Sequence, residues 1–302
     1  MKGLQVGHYT QEQYGTGATV FLLDEPAVGA YHLCGSSPAA FELTLLDLEA
    51  DVTHIDALAF LGGSALGLPS VSGVQRWLQD RNRGWEVPHG RIPLVPAVAI
   101  YDLAYKDSVP PSDAMVYEAC MAACEDNFQT GSIGAGTGAT VGKIMSSALR
   151  MSGGVGYSEI HLSNDVSIIA YAVVNCVGDV RNNEGHIIAG ARLSSEELKF
   201  LNCEKYLLQG QTEKRISAAN TTLIALFTNA KFSKAELKRI AKMATAGMAR
   251  VISPVFTRYD GDIVFCVSVG EKNANELTLG ACAAEATKQA ILNAVSGSIV
   301  LV

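Results

Sequence analysis

Long apolar runs are missing from this 302-residue chain: none approaches the roughly 18 residues a membrane-crossing helix needs. Basic clusters are missing too. Thirty acids against 23 bases give a formal charge of −7, and the lysines and arginines gather into no stripe, which argues against a nucleic-acid partner. The opening residues, Met1 to His8, contain no apolar leader core, so a cytoplasmic protein without membrane contact is expected. Seven cysteines cannot all pair, and they are scattered through apolar segments, so they read as buried free thiols of a reducing compartment. Cys120 and Cys124 are spaced C-x-x-x-C without a second ligand pair, which argues against zinc. Charged residues make up only 18% of the chain. The 48% that is hydrophobic and the 29 glycines fit a compact α/β or α+β protein with a large core. No metal and no cofactor are expected.

Taken in order, Gly17 to Leu23 reads as a strand. Ser36-Ser37-Pro38 reads as the start of a helix over 39–48, with serine as cap and proline in the first turn. Leu61 to Leu68 is a small-residue turn leading to a helix from about Pro69 to Asp80, with Val71, Val74 and Leu78 inward. Ala97 to Leu103 reads as a strand, and Pro110-Pro111-Ser112-Asp113 opens a helix to about Cys124. The glycine-rich run Gly131 to Lys143 is not a phosphate loop. Thr137 stands where a Walker motif needs glycine, and Ile144 where it needs serine or threonine. What remains is a backbone that comes close to something and ends in one lysine.

Ser158 to Ser163 and Val166 to Val174 read as strands, with Asn175 in the turn that follows. Ser194 starts an expected helix, and residues 201–217, the least apolar part of the chain, read as an exposed connector. Ser233-Lys234-Ala235-Glu236 is a capping box, and Leu237, Ile240, Ala244, Met248 and Val251 mark one buried helical face. Asp260-Gly261-Asp262 is an acidic turn into a strand from Ile263 to Val269; the rest of a calcium loop is missing. A helix from about Glu276 to Val295 is expected to turn Leu277, Ala281, Ala284 and Ile291 inward.

Between the connector and the capping box, Asn220-Thr221-Thr222 enters an apolar strand that runs to Phe227. By itself this is a strand start favoured by β-branching. Were the Asn220–Thr221 bond cut, Thr221 would carry a hydroxyl and a free α-amine, nucleophile and base on one residue. On the dipeptide alone, the strand-start reading wins.

An ordered series of segments does add to it. Val6-Gly7-His8, Thr16 to Val20, Gly62 to Leu68, Gly134 to Lys143, Asn220-Thr221-Thr222, Thr228-Asn229 and Asp260-Gly261-Asp262 occur in this order along nearly the whole chain. In this the chain resembles the self-processing aminopeptidases, a family that includes L-aminopeptidase/D-esterase, the β-peptidyl aminopeptidases and the 6-aminohexanoate-oligomer (nylon) endohydrolases. The resemblance implies a single domain of the N-terminal-nucleophile type: a four-layer αββα sandwich, two stacked mixed sheets flanked by helices. It implies cleavage into a 1–220 α chain and a 221–302 β chain. Thr221 matches the nucleophile, Lys143 the lysine beside it, Asn175 the oxyanion asparagine, and Asp260 and Asp262 two acids that orient the nucleophile and its amine. Threonine with Asp-Gly-Asp is similar to the nylon-oligomer hydrolases, whereas the aminopeptidases use serine and usually Ser-Gly-Asp. The resemblance thus implies an amidase for linear amides such as nylon oligomers or short peptides. The alternatives are an aminopeptidase needing a free substrate amine and an acyltransferase similar to ornithine acetyltransferase. A small-molecule amide or peptide is the expected partner, with assembly as a homo-oligomer, a tetramer of αβ units.

Overall fold

The computed structural model describes residues 1–107, 109–145, 149–162, 164–197, 199–211 and 220–301. Its spine is one hydrogen-bonded path of strands. In chain order these are β1 (Leu4–Gln11), β2 (Thr16–Leu33), β3 (Ala39–Phe41), β4 (His54–Leu61), β5 (Ala97–Ala99), β6 (Gly154–His161), β7 (Ser167–Asn175), β8 (Thr221–Ala230) and β9 (Ile263–Lys272). In space the order is β6-β7-β8-β9-β2-β4-β5-β3, with β1 also paired to β2. The β8–β9 and β4–β5 pairs are parallel and the rest antiparallel, so the sheet is mixed as expected.

β2 is what turns this path into two layers. Its first half pairs with β1 and β4, and its second half, from Val28, pairs with β9. Between the halves the register against β4 shifts at Leu22/Ala27, where Asp24, Glu25 and Pro26 are exposed. Proline cannot donate to a ladder, so a bulge is where a long strand tolerates it. Residues far apart in the path meet face to face across the two layers. Phe21 of β2 lies 5.2 Å from Phe60, 5.3 Å from Tyr171 of β7 and 5.2 Å from Phe227 of β8, ring centre to ring centre. These rings form the core between the sheets.

Helices close both outer faces. α1 (Ser72–Gln79) and α2 (Asp113–Met121) lay Val74, Leu78, Val116 and Ala119 on Val20, Leu22, Ala57 and Ala59. α3 (Lys234–Val251) and α4 (Glu276–Ala294) cover Ile168, Ala170, Ile224 and Leu226. The order is therefore αββα. The capping box forms: Glu236 N donates to Ser233 Oγ while Ser233 N donates to Glu236 Oε2. Leu237, Ile240, Ala244, Met248 and Val251 are all buried.

Several local expectations are corrected. Residues 39–48 are not a helix. Ala39–Phe41 pair with β5 as an edge strand, Glu42 takes a left-handed φ of 52°, and only a 3₁₀ turn, Leu43–Leu46, follows. Sheet pairing outweighs the local helix signal of the serines and proline. Ser194 opens no helix either; the helical turn comes later, Cys203–Leu208, capped by Asn202, whose Oδ1 accepts from Lys205 N. Leu277 and Ala281 face outward, while α4 buries Leu279, Ala283, Ala286, Ala290, Ile291 and Ala294. With alanine on both faces, there is little contrast in hydropathy from which to set the phase of the stripe. Cys124 is exposed and Cys34 and Cys282 are half-buried, so only four of the seven thiols are core residues. The last part of the expected connector, 212–217, lies outside the described residues, as do 218 and 219. Among the described residues no helix is long and apolar enough to cross a membrane.

The outer helices touch closely: a Cβ at Gly247 of α3 would fall 2.1 Å from Ala284 O of α4, whereas one at Gly297 would meet nothing within 4 Å. Gly247→Ala should therefore lower stability by about 1–3 kcal/mol, the usual scale of overpacking. Gly297→Ala should change it by less than about 0.5 kcal/mol. Urea or thermal unfolding of the two variants checks both.

Candidate active site

Thr221 is the first residue of β8, a central strand. On one side it is the register partner of Asn175, the last residue of β7; on the other, β8 runs parallel to β9, with Leu223 opposite Ile263. Just before β8, Asn220 makes a parallel bridge to Asp260. One end of the sheet thus gathers Thr221, Asn175, Asp260 and Asp262 by register alone. Lys143 arrives from the glycine-rich run. Gly142 has φ 78°, and a Cβ there would sit 2.0 Å from Ala191 N, so only glycine fits. Gly142 N donates to Gly178 O and Lys143 N to Val177 O, which pins this backbone beside the end of β7. All five expected side chains come together, and all are buried, between 0% and 7% exposed.

Their contacts are specific. Lys143 Nζ donates to Asn175 Oδ1 (2.7 Å) and to Asn175 O (2.9 Å). Thr140 N also donates to Asn175 Oδ1 (3.0 Å), and Asn175 Nδ2 donates to Tyr101 O (3.2 Å), so the amide's orientation is set from both ends. Asp262 Oδ1 accepts from Thr222 N (2.6 Å) and its Oδ2 from Phe256 N (3.2 Å). Asp260 Oδ2 accepts from Thr257 N (2.8 Å). The carbonyls of both acids receive N–H groups from the segment after β2: Cys34 N and Gly35 N reach Asp262 O, and Ser37 N reaches Asp260 O. The most telling contacts are on the Asn220 carbonyl. Its oxygen accepts from Thr221 Oγ1 (2.5 Å) and from Gly261 N (2.8 Å). A Cβ at Gly261 would lie 2.9 Å from Thr221 Oγ1, so the glycine lets this backbone lie against the hydroxyl.

Burial shapes the charges. It lowers Lys143 to about 7, against the partial support of Cys176, Asp260 and Asp262. Burial, and then the like charge of Asp260, raises Asp262 to about 7. Asp260 is also raised by burial, opposed by its bonds to Thr257 and by the Lys143 cation. A cation and an acid that both change charge near neutrality can serve as proton carriers. Among the described residues no group of three or more histidines, cysteines, aspartates or glutamates is placed to hold a metal. The sequence did not disclose Gly261 N–H, Thr140 N–H or Tyr101 O, because any residue supplies a backbone group. The close packing behind Gly142 was signalled only as a run of glycines.

The sequence model of peptidase family S58 matches residues 1–299. A protein of Mycobacterium leprae described as an uncharacterized aminopeptidase is 34% identical over 291 residues, covering 91% of this chain and 78% of the relative. A 6-aminohexanoate-oligomer endohydrolase of Kocuria is 29% identical over 310 residues, covering 97% and 84%. Among solved structures, the L-aminopeptidase D-Ala-esterase/amidase of Ochrobactrum anthropi, described as a variant of the Ntn hydrolase fold, superposes with TM-score 0.75 at 17% identity, covering 98% of this chain and 84% of that one. A β-aminopeptidase of Burkholderia gives TM-score 0.71 at 20% identity, with the same coverage. The last two establish the likeness of fold.

The two titrating groups bias stability in opposite directions. Folded Asp262 keeps its proton to about pH 7 but the unfolded chain releases it near 3.8, so this group's contribution to stability falls as pH rises between those values. Folded Lys143 gives up its proton near 7 but unfolded lysine keeps it to 10.5, so its contribution recovers as pH rises from 7 to 10.5. Between pH 4 and 7 the Tm of the protein should therefore decline relative to that of Asp262→Asn, with both chains carrying Thr221→Ala so that the bond at 220–221 stays whole. A constant gap would contradict the assignment. Carboxyl ¹³C NMR should also show the Asp262 midpoint moving down in Asp260→Asn, where the neighbouring like charge is gone.

Proposed function

The chain belongs to peptidase family S58 and is a hydrolase; from that premise we propose that it is a self-processing amidase whose nucleophile, Thr221, is released by cleavage of its own Asn220–Thr221 bond. The observation that carries the proposal is the state of that bond. The Asn220 carbonyl oxygen already holds the Thr221 hydroxyl and the Gly261 N–H, and the buried Lys143, poised near neutrality, is hydrogen-bonded to Asn175, the register partner of Thr221.

In the uncut chain the Thr221 nitrogen is an amide and cannot act as a base, so the proton must go elsewhere. Lys143, in its neutral form, is the group assigned here to take it from Oγ1 as Oγ1 attacks the Asn220 carbonyl carbon. The negative charge that develops on the oxygen is met by Gly261 N–H, which needs no rearrangement to do so. Collapse breaks the C–N bond, the proton passes to the Thr221 nitrogen, and an ester between Asn220 and Oγ1 results. Water hydrolyses the ester to the Asn220 carboxylate, a free Oγ–H and a free α-amine.

The cut enzyme then uses the same oxygen on a substrate amide. The α-amine, ordinarily titrating at about 7.7–8.0, becomes the base. Lys143, to the extent that it is charged, lowers that value further. Asn175, oriented through Lys143, Thr140 and Tyr101, is assigned the oxyanion contact of this second reaction. Asp262, already on the Thr222 N–H, is assigned the new amine as a charge-assisted partner, with Asp260 supporting it. Linear amides are the substrate class, short peptides and 6-aminohexanoate oligomers among them, and the cut protein is proposed to assemble as an oligomer of αβ units. A requirement for a free substrate amine is the second reading, favoured by the 34% identity to proteins described as aminopeptidases.

Denaturing mass spectrometry should find two chains, residues 1–220 and 221–302, and Thr221→Ala should remain whole. A wild-type chain that hydrolyses amides while intact would overturn the mechanism. Lys143→Met should slow self-cleavage by about 10²–10⁴, the usual scale for a lost general acid–base group; time courses of chain splitting measure it. Equal turnover of a peptide and its N-acetyl form would exclude the free-amine requirement.

A further inference from the structure

A narrow pocket opens beside Asn175. Its described lining includes Tyr101, Asp102, Tyr105, Thr140, Lys143 and Arg150. Three of these, Tyr101, Thr140 and Lys143, hydrogen-bond to the Asn175 side chain, and Asn175 is the register partner of Thr221, so the pocket adjoins the nucleophile through one residue. Two cations share it. Lys143 is occupied with Asn175, but Arg150 is not occupied with anything: its guanidinium makes no hydrogen bond or ion pair among the described residues. The other described arginines are each held. Arg76, Arg91, Arg181, Arg239 and Arg250 meet carboxylates. Arg83 and Arg192 donate to backbone carbonyls, and Arg81 and Arg258 lie over aromatic rings.

Arg150 is held in place by its backbone. The strand Arg150–Ser152 is paired with Thr140–Val141 on one side and with Val300–Leu301 on the other, where Arg150 is the partner of Leu301. Leu149, just before it, exchanges both backbone hydrogen bonds with Arg192. The one acid among the pocket's described lining does not answer the charge. Asp102 Oδ1 accepts from Gly63 N (2.7 Å) and Oδ2 from Thr16 Oγ1 (2.8 Å), and burial raises its pKa to about 6. A half-buried guanidinium beside a second cation, with the local acid committed elsewhere, leaves a planar fork that a carboxylate fits in bidentate fashion.

We propose that Arg150 forms a carboxylate-binding subsite of this active site, so that the substrates are short amides bearing a free carboxylate. The proposal rests on the amidase reading above and narrows its substrate class. Arg150 is then a specificity residue: it binds the substrate's carboxylate and takes no part in bond breaking.

The test compares substrates that differ only at that group. The linear dimer of 6-aminohexanoate and L-alanyl-L-alanine would each be assayed beside its C-terminal carboxamide. Wild type should prefer the acids by about 10- to 100-fold in kcat/KM, the scale of one charge-assisted pair, chiefly through KM. Arg150→Met should bring the preference close to one, and Arg150→Lys should keep part of it. Absence of the preference in wild type, or its survival in Arg150→Met, would overturn the proposal. Binding of 6-acetamidohexanoate against 6-acetamidohexanamide, measured by calorimetry on the purified protein, requires no turnover. If the protein neither splits nor hydrolyses, the amidase reading fails while this comparison still decides the subsite: tighter binding of the acid, lost in Arg150→Met, supports it, and equal binding of the two overturns it. Mass spectrometry of Arg150→Met reports separately on self-cleavage.

Discussion

The register of β8 is the constraint on which the site depends. Thr221 stands opposite Asn175 on one side and is followed by the Leu223–Ile263 pairing on the other. A strand has two faces, so a slip of one residue would exchange its two sets of side chains. In β8 both sets are committed: Leu223, Ala225 and Phe227 enter the core between the sheets, and Ile224 and Leu226 enter the core beneath α3 and α4. A displaced register would therefore disrupt two cores at once. The hydrophobic burial of five residues downstream thus fixes where the hydroxyl of Thr221 lies, and the positional accuracy of the site is a by-product of packing.

The electrostatics follow from the same burial. A lysine and two aspartates in one dry corner would be a poor arrangement if all carried full charge without partners. Backbone N–H groups answer the acids: Thr222 and Phe256 for Asp262, Thr257 for Asp260. Asn175 answers the lysine with two oxygens. What is left of the desolvation cost appears as the displacement of Lys143 and Asp262 toward neutrality, from opposite ends of the scale. Groups that lie dormant at pH 7 in water are in this corner close to their midpoints, which is the condition a proton carrier needs.

How much of this the sequence disclosed varies with the kind of signal. α3 was legible because its apolar residues recur on one face against a strongly polar background. α4 was legible as a helix but not in its phase, because alanine marks neither face. Residues 39–41 misled because a serine–proline helix start is a local preference and the strand they form is a long-range pairing with Ala97–Ala99. For the site, Thr221, Lys143, Asn175, Asp260 and Asp262 were named only through the resemblance to the self-processing aminopeptidases, since each alone reads as an ordinary strand-start, surface or turn residue, and the structure brings those five together. Gly261 N–H and Tyr101 O carry no residue-specific mark. Arg150 has an identity in the sequence, but only its lack of a partner among the described residues of the folded chain distinguishes it from the other described arginines.

The strand order carries one more consequence. Residues 221–302 supply β8 and β9, and these lie between β7 and β2, both contributed by residues before the 220–221 bond. In a chain cut at that bond the two pieces remain interleaved, and nothing short of global unfolding separates them. Once separated, they would no longer be held at the fixed effective concentration of a single polymer. Unfolding would remain a first-order event, but its reversal would require an encounter between two molecules and would slow with dilution. A protein that folded as one chain would thus have discarded the route by which it folded, and its persistence would be governed by the height of the unfolding barrier.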